Sequence, residues 1–122
     1  MTHSIICDRA FAFAVRIFKL CDALFERGPV SRFLASQLMR SGTSIGANAE
    51  EAQDGQSKAD YIAKMSISSK EARETSWWLR LAVAAGVVKK DRVVWESSEA
   101  AQLRMMIRAA IRTARSSESR GW

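Results

Sequence analysis

The chain has 122 residues, of which 48% are apolar and 26% charged, with one proline and six glycines. That balance fits one domain with one core and excludes a disordered chain. The net charge of +6 sits in the second half: residues 62–122 hold twelve Lys/Arg and six Asp/Glu, and residues 1–61 hold seven of each. Such an excess points to a polyanion partner or to solubility alone. No uncharged run approaches a membrane span, and Asp8, Arg9, Arg16 and Lys19 interrupt any secretory apolar segment, so a cytoplasmic protein without membrane contact is expected.

The first predicted helix runs from about Ile5 to Glu26. Ile6, Phe13, Ile17, Leu20, Leu24 and Phe25 form its stripe, with Cys7, Ala14, Phe18 and Cys21 beside it. On one helix the two cysteines lie about 21 Å apart at 1.5 Å per residue, too far to bridge. With His3 the single histidine and no CxxC, neither a metal site nor a cofactor is expected. Gly28 and Pro29 break the pattern.

Ser31 is the expected cap of a second helix, residues 31–53, lined by Leu34, Leu38, Ile45, Ala49 and Ala52. Its middle, "RSGTSIGANAEEA", is rich in glycine and hydroxyls. Each glycine costs a helix about 1 kcal/mol against alanine, so the segment predicts a close approach by a neighbouring backbone. Ser57 caps the third helix, residues 58–85, which carries Tyr61, Met65, Ile67, Ala72, Trp78, Leu79 and Leu81. Gly86 closes it at a C′ position, and Val93 and Trp95 cap the bundle end. The fourth helix, residues 97–115, presents Leu103, Met106, Ile107, Ala110, Ile111 and Ala114, and residues 116–122 form a tail. Four amphipathic helices with short connections predict an all-α, up-down-up-down antiparallel four-helix bundle.

Beside the apolar face of the second helix, Arg40, Ser44, Asn48 and Glu51 recur at spacings of 4, 4 and 3, within roughly 80° of arc. On the third helix Glu71 and Glu74 fall among Ile67, Trp78 and Leu81, where carboxylates need partners. Arg40, Asn48, Glu51, Glu71 and Glu74 are therefore expected to form a partly buried polar layer. Di-metal bundles need Glu-x-x-His pairs, and no histidine lies near these glutamates, nor any base near Ser68 and Ser69. Catalysis is not expected.

The runs "SQLMRSGTSIGANAEEA" and "DYIAKMSISSKEARETSWWLRLA" resemble the 23S rRNA intervening-sequence proteins. Ser44, Ile45, Asn48 and Glu51 match an SI–x–x–N–x–x–E run of that family. Lys64, Ser66, Ile67, Lys70, Glu71, Ala72, Glu74, Thr75, Trp78 and Leu79 match its third-helix pattern, and Ala52 stands where many members have glycine. The resemblance covers about residues 5–115. It implies a four-helix bundle assembling into a ring-like homopentamer, and a likeness to the accessory variability protein of diversity-generating retroelements. That relative implies RNA or DNA, and a reverse transcriptase or other protein, as partners.

Arg104, Arg108, Arg112 and Arg115, extended by Arg120, form a ridge on the fourth helix at spacings suited to phosphate contacts. Trp77 points away from Trp78 and falls on an outer face with Arg73 and Arg80, a candidate subunit interface. The expected function is that of a non-enzymatic homo-oligomer that binds nucleic acid or acts as an adaptor. The alternative is a protein-interaction scaffold with no nucleic-acid role.

Overall fold

The computed structural model describes residues 4–117. Arg120, and all of the tail beyond Ser117, lie outside the described residues. Four α-helices account for most of the chain: α1 (Ile5–Phe25), α2 (Pro29–Gln53), α3 (Lys58–Ala84) and α4 (Val94–Ser116), with a 3-10 turn at Lys90–Val93. No strand occurs among the described residues.

Short polar side chains set several helix ends. The Ser4 hydroxyl accepts from the Cys7 N–H at 3.1 Å, and the Ser57 hydroxyl from the Asp60 N–H at 3.0 Å, each satisfying a donor that a helix start leaves open. Gly86 stands at φ +75°, with its N–H on the Val83 carbonyl and that of Val87 on the Ala82 carbonyl. That pair of bonds is a Schellman ending, and a residue without Cβ suits the left-handed position it needs.

Two starts differ from expectation. Pro29, at the first position of α2, follows Gly28 at φ +117°. Proline's fixed φ and missing N–H suit a first turn, so α2 begins ahead of Ser31. Ser31 instead is buried and donates to the Leu24 carbonyl at 2.7 Å, tying α2 to the end of α1. The fourth helix begins at Val94 and not at Ser97. Val93 is buried in the core, and anchoring it there sets the helix going immediately afterwards.

α1 packs on α2, α2 on α3, α3 on α4, and α4 returns to α1. Phe13, Ile17, Leu24, Leu38, Ile45, Met65, Leu79, Leu103 and Ile107 are fully buried between them, each contributing about 1.5–3 kcal/mol of hydrophobic stabilisation. Phe18, Phe25, Ile67 and Leu81, expected in or beside the core, are exposed instead. The inward face of α3 holds Tyr61, Met65, Ser68, Ala72, Thr75, Leu79 and Ala82. The Ser68 and Thr75 hydroxyls on that face each find a partner on α2: Ser68 donates to the Ile45 carbonyl at 2.6 Å, and Thr75 donates to the Ser41 hydroxyl at 2.9 Å.

The glycines of α2 mark where α1 crosses. A Cβ on Gly42 would lie 3.1 Å from both γ carbons of Ile17, and one on Gly46 would lie 3.3 Å from the Ala10 Cβ. The helical reading of this glycine-rich stretch and the close approach it required are both present. No helix among the described residues is long and apolar enough to cross a membrane.

Candidate nucleic-acid interface

Two groups of cations stand out among the described residues. Those of the first are matched by carboxylates. On α1, Arg9 meets Glu99 of α4 through two parallel hydrogen bonds, Nε to Oε2 at 2.8 Å and Nη2 to Oε1 at 2.6 Å, the fork geometry that makes arginine–carboxylate pairs strong. Those bonds hold the Arg9 guanidinium's pKa above its ordinary value. Arg16 lies 3.6 Å from Glu96 of α4 and over the ring of Trp95, 4.3 Å from its centroid. Trp95 in turn stacks on Phe13. Glu96 is almost wholly buried, and its Oε1 has no hydrogen-bond partner. These α1–α4 pairs were not anticipated from the sequence.

Arg40 of α2 reaches both glutamates of α3. It pairs with Glu74, and its Nη1 lies 3.5 Å from Glu71 Oε1. Glu74 also accepts from the Trp78 indole N–H at 3.0 Å. Two members expected in this layer stand apart from it. Glu51 is exposed. Asn48 donates at 2.9 Å to the Ser44 carbonyl one turn back on its own helix, a local bond that competes with any partner across the seam. The layer is therefore three charged residues with Trp78, and it lies at the rim, since the Arg40 side chain is 48% exposed.

The second group is uncompensated. Among the described residues no carboxylate pairs with Lys70, Arg73, Arg80, Arg108, Arg112 or Arg115. Arg108, Arg112 and Arg115 line a cleft of about 380 Å³ between α4 and α3, closed on the other side by Ser66 and Ser69. The serines are a feature the α4 spacing did not reveal. Arg104, one turn earlier in the ridge, does not line this cleft; it is half-buried, and its Nε is enclosed without a partner. Further along α3, Lys70, Arg73, Glu74, Trp77 and Trp78 line a recess of about 390 Å³. Beyond Arg80, around the α3–α4 connection, a recess of about 850 Å³ carries Arg27, Lys89, Lys90 and Arg92 against one acid, Asp91.

The opposite side is apolar. Phe11, Val15 and Phe18 are exposed on α1 and, with Ala14, Thr43, Gly46 and Ala47, line a groove of about 570 Å³ between α1 and α2 that also carries Lys19 and Glu50. Burial pushes the Cys21 thiol up to about 12, and it donates to the Ala35 carbonyl at 3.3 Å. Cys7 is also raised by its partial burial. Among the described residues no three His, Cys, Asp or Glu side chains are grouped to hold a metal ion.

Fold and surface together define a small basic protein of four helices, with paired charges along its α1–α4 and α2–α3 seams and bare cations along α3 and α4. The chain belongs to the 23S rRNA-intervening sequence protein family, whose model matches residues 2–109. It is similar to a protein of unknown function from the S23 ribosomal protein family of Bacteroides thetaiotaomicron. The two share 34% identity and superpose with a TM-score of 0.82, over 88% of this chain and 98% of the other. No curated protein matches the chain.

Proposed function

We propose that this protein is a non-enzymatic, cytoplasmic homo-oligomer that binds the phosphate backbone of RNA or DNA along α3 and α4. The observation that carries the reading is the separation of charge. Arg9, Arg16 and Arg40 have carboxylates, whereas Arg108, Arg112 and Arg115 face Ser66 and Ser69 with none. Guanidinium forks beside hydroxyl donors suit phosphate oxygens. Bonds of this kind position a nucleic acid without reading its sequence.

The reading includes an up-down-up-down antiparallel bundle and a ring-like pentamer. The reversed order in which α1 and α2 meet supports the first: Ala10 and Ile17 of α1 approach Gly46 and Gly42 of α2. The exposed α1–α2 groove supports the second. The same groove favours the alternative reading, a scaffold that docks a protein partner and has no nucleic-acid role. Binding of a labelled oligonucleotide across a salt series separates them. The phosphate reading expects affinity to fall steeply with salt. It also expects charge reversal at Arg108, Arg112 and Arg115 to weaken binding and to flatten the slope by about one for each phosphate left without its arginine. Affinity that stays level from low to moderate salt sinks it.

A further inference from the structure

We infer that the outer face of α3 is a track for single-stranded nucleic acid, in which Trp77 stacks a base while Lys70, Arg73 and Arg80 hold the flanking phosphates; the inference rests on the phosphate-binding reading above. At 100° per residue these four side chains fall within about 80° of arc. From Lys70 to Arg80 the stripe runs about 15 Å at 1.5 Å per residue. No described carboxylate pairs with any of the three cations.

The tryptophan is held ready. Trp77 is 48% exposed, and its ring meets Trp78 edge-on at 5.0 Å. Trp78 is itself fixed, by its hydrogen bond to Glu74 and by an edge contact with Phe33 at 6.0 Å. One indole is thus braced by a second while much of it faces solvent. The recess beside it, about 390 Å³, is within the roughly 300–1,000 Å³ of small-ligand pockets. Its one acid, Glu74, does not oppose a phosphate with a bare charge, because Arg40 pairs with it.

Charge decides between the occupants. A subunit interface centred on Trp77 would bury Arg73 and Arg80, which have no carboxylate partner among the described residues, and an unpaired charge taken out of water is costly. A nucleotide brings a flat ring for the indole and an anion for each neighbouring cation. A base within a duplex keeps its faces in the stack, so an aromatic platform selects for a single strand.

The test compares a labelled oligothymidylate with a DNA duplex of the same length, both at one fixed salt concentration. Trp77→Ala is expected to weaken single-strand binding about 5- to 150-fold, the loss of one stacking aromatic. Its duplex affinity stays unchanged, and Trp77→Phe retains most of the single-strand affinity. An equal loss on both ligands, or no loss on either, overturns the inference while leaving the phosphate reading standing. A fall in solution mass in Trp77→Ala also overturns it, in favour of a subunit interface. Failure of the unaltered protein to bind either ligand overturns the phosphate reading and this inference together.

Discussion

Gly42 and Gly46 show how a single missing carbon sets the distance between two helices. Alanine would improve the intrinsic helix preference of either position by about 1 kcal/mol. Against that gain, a Cβ on Gly42 falls 3.1 Å from two carbons of Ile17, a side chain with no exposed surface. Overpacking of this kind costs about 1–3 kcal/mol. Gly42→Ala is therefore expected to lower stability by up to about 2 kcal/mol in denaturant unfolding. The crowding partner is a side chain, so Ile17→Ala should relieve it: the double variant loses less than the two single losses together. Strict additivity would mean that the glycine is kept for another reason. At Gly46 the nearest groups are the Ala10 Cβ at 3.3 Å and its backbone carbon at 3.5 Å, which cannot swing aside, so there the helices themselves must separate.

At the scale of elements, the seams differ in how much their ion pairs contribute. Across α1–α4 the Arg9 and Glu99 side chains are 34% and 11% exposed, and across α2–α3 the Arg40 and Glu74 side chains are 48% and 32% exposed. Solvent screens the second pair more, and exposed pairs contribute about 0.2–1 kcal/mol. The first pair is forked and better sheltered, and hydrogen bonds to charged groups contribute about 1.5–3 kcal/mol net. A double-mutant cycle to alanine is expected to give a coupling of at least about 1 kcal/mol for Arg9–Glu99, and less for Arg40–Glu74. The reverse order would show that exposure is not what governs these seams. The Arg40 pairing with Glu71 and Glu74 was legible because two acids on an apolar arc demand a cation on the facing helix. Glu96 and Glu99 were not legible, because acids in the first turn of a helix are ordinary complements to its dipole. In the structure α4 starts earlier, directly after the buried Val93, and Glu96 in its first turn is buried. The arginine ridge could be read from its spacing, but its serine wall could not, since Ser66 and Ser69 come from another helix. Asn48 and Glu51 misled for the opposite reason: a shared arc on one helix does not say which of its members the neighbour reaches.

On the scale of the whole molecule, the α1–α2 groove and the unpaired α3–α4 cations lie on different helices, and that separation gives the proposed assembly a definite geometry. Phe11 and Phe18 are 65% and 58% exposed on α1. They lie on one stripe with Val15, beside the α1–α2 groove, and contiguous apolar area of this kind marks an interaction surface. If that stripe meets a different face of the next copy, the interface is heterologous and closes into a ring when the rotation allows. The α3–α4 cations are then left free and repeated around it. Phe11→Lys combined with Phe18→Lys is accordingly expected to reduce the solution mass, measured by light scattering, to that of one 13.6 kDa chain, with helix content retained. Its affinity for a long oligonucleotide should fall much further than its affinity for a short one. Several linked sites gain about 10²–10⁴ in avidity over one, and only a long ligand engages several. A monomeric unaltered protein, or a variant that keeps the full mass, would remove the apolar stripe from the assembly. A variant that dissociates yet binds long and short ligands with unchanged affinities would show that assembly and nucleic-acid binding are independent properties of this bundle.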